Sequence, residues 1–171
     1  MKHPLSLSLV AFISIAIILA LSSCDQHVAT EDTTRESVVR SNEIVYDSIR
    51  AKKLGANQLG MKKYIMVLLK KGPNRELDEQ ETLNVQTMHM ANIRALAQQG
   101  IMVLAGPFGG DGDLRGIFVL NMESIEAAEH LISFDPAIKE GTLVMELYEW
   151  YGSAALMEVN EIHNQIAKVK I

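Results

Sequence analysis

Cysteine is nearly absent from this chain: a single residue, Cys24, serves all 171 positions. No intrachain disulfide can form, so the folded part is held by its core alone. An excess of basic charge is also missing, with 16 Lys and Arg against 21 Asp and Glu and a formal net charge of −5. That balance excludes nucleic acid, and an anionic membrane surface, as electrostatic partners. No repeat at solenoid periods is visible. No two histidines stand at metal-ligand spacing, so no metal is expected. No nucleophile elbow accompanies a Ser, His and Asp set, which disfavours covalent catalysis. No cofactor is expected either, because no nucleotide, flavin or haem motif is present.

What is there begins with a leader. Lys2 and His3 give a short basic start, and Leu5 to Leu21 contains only Ser as a polar residue. Leu21-Ser22-Ser23-Cys24 closes the run with small residues before the cysteine. A charged start, an apolar run and a small-residue cleavage site form an export signal. The run is slightly short for a spanning helix, which needs about 20 apolar residues, and no basic cluster follows it. The cysteine sits where a lipobox places the acylated thiol. Residues 1–24 are therefore expected to be a lipoprotein signal peptide, and Cys24 the lipidation site. The mature chain would be anchored in a lipid bilayer at the cell envelope, facing the periplasm or exterior. Several acyl chains anchor far more firmly than one, at about 0.8 kcal/mol per buried methylene. Removing Lys2 with the leader makes the chain one charge more negative.

Residues 25–62 read as a polar spacer, with a short helix near 43–54 stopped by Gly55. The domain follows at 63–151. Tyr64 to Leu69 is an apolar run bounded by turn residues, a buried strand. Leu77 to Gln99 has helical character and ends at Gly100, where a left-handed cap is needed. Ile101 to Ala105 and Gly116 to Leu120 are two more strands, joined by the glycine-dense segment Gly106 to Asp113. That segment lacks the Gly-Lys-Ser/Thr ending of a phosphate loop and the terminal Glu of a calcium loop, so it is expected to be a hairpin. Ser124 caps a helix to Ser133, Asp135-Pro136 breaks it, and Thr142 to Tyr151 is the last strand.

The order βαββαβ predicts an α+β, ferredoxin-like fold, with an antiparallel four-stranded sheet and both helices on one face. Alternating apolar residues on the other face call for a cover, either a second copy of the chain as a homodimer or the C-terminal helix expected within 152–171. On a helical wheel Val85, Met90, Ile93, Leu96 and Ala97 form one apolar arc, and His89 falls inside it. Such a histidine faces the core or a cavity, and on the residues alone a buried imidazole bonded to a carbonyl is the commoner outcome. Asp135, before Pro, is by the same standard a turn-former. His130 lies opposite the apolar face of its helix and is expected to be solvated. The nine methionines read as core filler.

From about Lys63 to Trp150 the chain resembles the YCII-related family of dimeric α+β barrel proteins. The resemblance is carried by Gly72-Pro73, His89, Gly100, Gly106-Pro107, Phe134-Asp135-Pro136 and Glu149-Trp150, in that order. It implies that His89 and Asp135 form an active-site pair. A carboxylate beside an imidazole fixes its tautomer and raises its basicity, as a general base requires. The expectation is a membrane-tethered domain with a small-molecule pocket, doing His/Asp acid–base chemistry on an unidentified substrate. The rival expectation is a non-catalytic binding or assembly module at the envelope.

Overall fold

The computed structural model describes residues 45–169. The leader, Cys24, the spacer up to residue 42 and the first residues of the expected 43–54 helix lie outside the described residues. Among the described residues no helix is long and apolar enough to cross a membrane.

The elements run α1 (Ser48–Leu54), β1 (Met61–Lys71), α2 (Glu79–Gln98), β2 (Met102–Pro107), β3 (Leu114–Leu120), α3 (Ile125–Ile132), α4 (Pro136–Lys139), β4 (Leu143–Ser153), a 3₁₀ turn (Ala154–Glu158) and α5 (Val159–Ile166). The four strands make one antiparallel sheet in the order β2-β3-β1-β4. This is the ferredoxin-like arrangement. β1 is central, and its Ile65, Val67 and Leu69 form the main core with Leu96 of α2 and Ala128 and Ile132 of α3. Both helices therefore cover the same sheet face.

Strand β1 is longer than the apolar run that marks it, because lysines at its ends still pair. Lys63 lies opposite Tyr151, and Lys71 opposite Leu143. Lys63 bonds Glu149 at 2.6 Å, and Lys70 meets Glu146, so each charge is matched on the neighbouring strand. The first long helix starts at Glu79, later than Leu77, because Asp78 caps it: its side chain accepts from Glu81 N–H, and Glu81 returns the bond to Asp78 N–H. Gly100 then takes φ +70°. Ser124 caps α3 as its position predicts.

Three expectations need correction. The short helix begins at Ser48, not near 43, because Asp47 takes the N-cap role and accepts from Arg50 N–H. Asp135-Pro136 ends α3 but also opens α4, since proline at the first helical position needs no N–H donor. The C-terminal extension is not one helix over Ala154 to Val169. It is a 3₁₀ turn started by Ser153, followed by α5, which ends at Ile166.

That extension bears on the second sheet face. Tyr64, Val103 and Val119 form a smaller core there, with Trp150, Leu156 and Met157 packed on it. A register shift between Met102 and Leu104 gives β2 its irregularity beside Val103. Asn160 of α5 fastens the extension by donating to Met102 O at 2.8 Å. The cover is partial. Val144 and Tyr148 remain 40% and 49% exposed.

Candidate active site

The turn between β1 and α2 sets the site's frame. Gly72 N–H donates to Thr142 O at 2.9 Å, and Asn74 N–H to Gly141 O at 3.0 Å. A side chain at Gly72 would collide with the Gly141 carbonyl, so only glycine lets the two segments touch. Asn74 adds a bond from its Nδ2 to Glu140 O at 2.7 Å. These bonds clamp the α4–β4 turn onto the end of β1. They hold α4 against α2.

There His89 and Asp135 meet. His89 Nδ1 is 2.8 Å from Asp135 Oδ1, and the residues are 7% and 0% exposed. Asp135 Oδ1 also accepts the Ala137 N–H at 3.0 Å, and Oδ2 accepts from Asn92 Nδ2 at 2.8 Å. A carboxylate removed from water needs such donors, because an unpaired buried charge is costly. With acceptor capacity on the aspartate and donors all round it, the consistent tautomer puts the imidazole proton on Nδ1. Phe118 of β3 lies beside the ring, with centroids 6.0 Å apart.

The other ring nitrogen is the informative one. Among the described residues every fully buried side-chain nitrogen or oxygen has a hydrogen-bond partner. Among the described residues Nε2 of His89 has no hydrogen-bond partner, which leaves it free for a ligand. His89 lines a cavity of about 710 Å³ between α2, the β1–α2 turn and the β2–β3 end of the sheet. Thr82, Val85, Gln86, Met90 and Ile93 line it from α2, with Leu69 and Phe118 from the sheet. Cavities of about 300–1,000 Å³ hold small molecules.

Gly106 and Pro107 line the same cavity, so the glycine-rich hairpin borders it. His130 is exposed and stacks edge-on with Phe134 at 5.0 Å, away from this site. No cluster of three or more His, Cys, Asp or Glu forms a metal set among the described residues. Sequence reasoning missed Asn92, although it lies one turn beyond His89 on the same helix face, where a polar side chain has to find a partner. It also missed Arg75 and Arg115, both on the cavity wall. In sequence neither differs from a surface arginine.

The sequence profile of the YCII-related domain matches residues 64–151. No curated protein is detectably similar to the chain. Among solved structures, the chain is similar to a 5-chloro-2-hydroxyhydroquinone dehydrochlorinase from Burkholderia phenoliruptrix, in complex with 2,5-dihydroxybenzoquinone. Identity is 20%, coverage is 50% of this chain and 92% of that one, and the TM-score is 0.39. The family match spans just over half of the chain, and by it the chain belongs to the YCII-related domain family.

Proposed function

We propose that this chain is an envelope lipoprotein whose YCII-related domain performs acid–base chemistry on a small organic molecule. His89 is the base that meets the substrate, and Asp135 is its positioning residue. The observation that carries this reading is the place of His89 on a cavity wall, with Nδ1 tied to a fully buried carboxylate and Nε2 without a partner among the described residues. A histidine serving only the core would have both nitrogens satisfied or one sealed in apolar packing.

In the proposed step the Nε2 lone pair takes a proton from an acidic C–H of the bound molecule. The Asp135 carboxylate stabilises the resulting imidazolium, and the substrate keeps the electron pair as an enolate or related anion. Return of the proton at another carbon completes an isomerisation. Loss of a leaving group with the electron pair completes an elimination instead. If water occupies the same nitrogen, its activation gives hydrolysis.

The test is solvent-deuterium incorporation, followed by proton NMR, into a panel of small C–H acids: keto acids, hydroxyquinones and unsaturated carboxylic acids. Exchange into at least one compound, reduced about 10²–10⁴-fold in a folded His89→Gln variant, is the expected result. Binding of panel members without exchange would favour the non-catalytic binding or assembly module. For Asp135→Asn the expected loss falls mainly on kcat, since the residue orients the base and does not reach the substrate.

The anchoring rests on Leu21-Ser22-Ser23-Cys24. Cys24→Ser is expected to abolish acylation and to move the protein from the membrane fraction to the soluble one. Unchanged membrane association would defeat this part of the reading. The mature domain would then face the periplasm or exterior, and it would pair with a second copy through the uncovered part of its sheet.

A further inference from the structure

The cavity that His89 lines has an uneven charge. Among the described residues its wall includes two arginines, Arg75 from the β1–α2 turn and Arg115 from β3, and no aspartate or glutamate. The chain as a whole is acidic, at −5, so two cations without a carboxylate on one cavity wall run against its composition. Glu81 and Glu140 line a smaller neighbouring depression, and Glu81 is already engaged in the α2 capping box.

Neither arginine forms an ion pair among the described residues. Each is instead held by neutral carbonyls. Arg75 Nη2 donates to Thr142 O at 3.0 Å. Arg115 Nη1 donates to Gly112 O at 3.2 Å, with Gly110 O at 3.4 Å. Carbonyl bonds orient a guanidinium without neutralising it. A guanidinium has five N–H donors in a planar fork, so most of each fork remains available. Beside the arginines the wall is apolar, through Leu69, Val85, Met90, Ile93 and Phe118. Arg75 is exposed and Arg115 half-buried, so an entering anion meets them in a partly solvated setting.

The geometry points to a small organic monoanion as the ligand of this cavity: a carboxylate held by Arg75 and Arg115, with an aromatic or branched apolar body against α2 and Phe118. The fork of an arginine matches the two oxygens of a carboxylate, which favours that group over a diffuse negative charge. This inference rests on the small-molecule pocket of the proposed function, but not on His89 acting as a base. The two meet in one respect. A carboxylate fixed at the arginines limits which carbon of the ligand can approach Nε2. Anion charge that grows during proton removal would also be stabilised by the same arginines.

The experiment uses the full chain with methyl-labelled methionine, because Met90 lines the cavity. Benzoate, phenylacetate and salicylate are titrated as probes, with benzamide as the neutral counterpart of benzoate, and the Met90 methyl signal is followed. The expected result is saturable binding of at least one anion, with benzoate or its relatives bound at least tenfold more tightly than benzamide. Arg75→Gln and Arg115→Gln should each weaken the anion tenfold or more and leave benzamide unaffected. His89→Gln should retain anion binding while losing deuterium exchange, which separates this inference from the acid–base reading. Should Arg115→Gln loosen the hairpin it anchors, Arg75→Gln and a salt titration of the unaltered protein give the same readout. Equal affinity for benzoate and benzamide, indifference to both arginine substitutions, or failure of all three anions to bind would overturn the inference.

Discussion

His89 Nδ1 lies 2.8 Å from Asp135 Oδ1, the same oxygen that accepts the Ala137 N–H at the start of α4. One carboxylate therefore begins a helix and orients an imidazole. The two roles are compatible, because helix capping fixes the carboxylate and a fixed carboxylate fixes the ring. The neutral His89 ring is expected to carry its proton on Nδ1, leaving Nε2 as the lone-pair nitrogen. Nitrogen-15 NMR of the ring at alkaline pH distinguishes the tautomers directly. A proton found on Nε2 would remove its lone pair, and the proposed base with it.

The same arrangement sets an order of stabilities. Asp135→Ala removes the α4 cap and leaves His89 Nδ1 and Asn92 Nδ2 without their acceptor. The expected cost is about 3–5 kcal/mol, typical of breaking a buried charged network. Asn92→Ala removes one of the three donors to Asp135 and leaves the other two in place, so about 1.5–3 kcal/mol is expected. Urea unfolding of the two variants checks the order. If Asn92→Ala proved the more damaging, the cap and the imidazole bond would contribute little.

The sheet topology was legible in the sequence because each core strand is a short apolar run punctuated by glycine, proline or charge. Strand ends were not, since Lys63 and Lys71 look like turn residues until their partners on β4 are known. Helix α4 was hidden by a proline that reads equally well as a stop or a start. His89 was legible as a polar residue inside an apolar arc. Its partner came from a family resemblance, because no periodicity links positions 46 residues apart. The arginines of the cavity were not legible at all. Their significance depends on which wall they join, and that is a property of the assembled sheet.

The second sheet face leads to a prediction about assembly. Met66 lies opposite both Val119 and Tyr148, and Leu68 opposite Ile117, so these residues share the face that the C-terminal extension covers only in part. Val144 and Tyr148 are the exposed apolar residues on it. A second copy is the expected cover, and light scattering of the protein should return twice the chain mass. Tyr148→Glu should weaken the dimer tenfold or more, about 1.4 kcal/mol, while the His89 ring signals stay in place. A monomer at every accessible concentration would sink the dimer.

Acid sensitivity is expected at the other end of the domain. The Arg50 side chain of α1 donates to Glu158 in the 3₁₀ turn, tying together two segments that flank the sheet. The hydrogen bond from Arg50 holds the Glu158 carboxyl below its ordinary value of 4.5, with the Arg50 charge adding to the effect and desolvation opposing it. A carboxyl depressed in the folded state contributes its stability fully above the ordinary value. As pH falls below that value, the unfolded chain takes up the proton first, and the contribution shrinks until the folded carboxyl is protonated too. Stability of the α1 contact should therefore decline as pH falls below the ordinary carboxyl value of 4.5, seen as faster amide exchange in Ser48–Leu54. Arg50→Met should make α1 exchange faster at neutral pH and flatten that acid dependence. An unchanged pH profile in Arg50→Met would mean that the pair does not hold α1, and that the helix rests on its Asp47 cap and Gly55 stop alone.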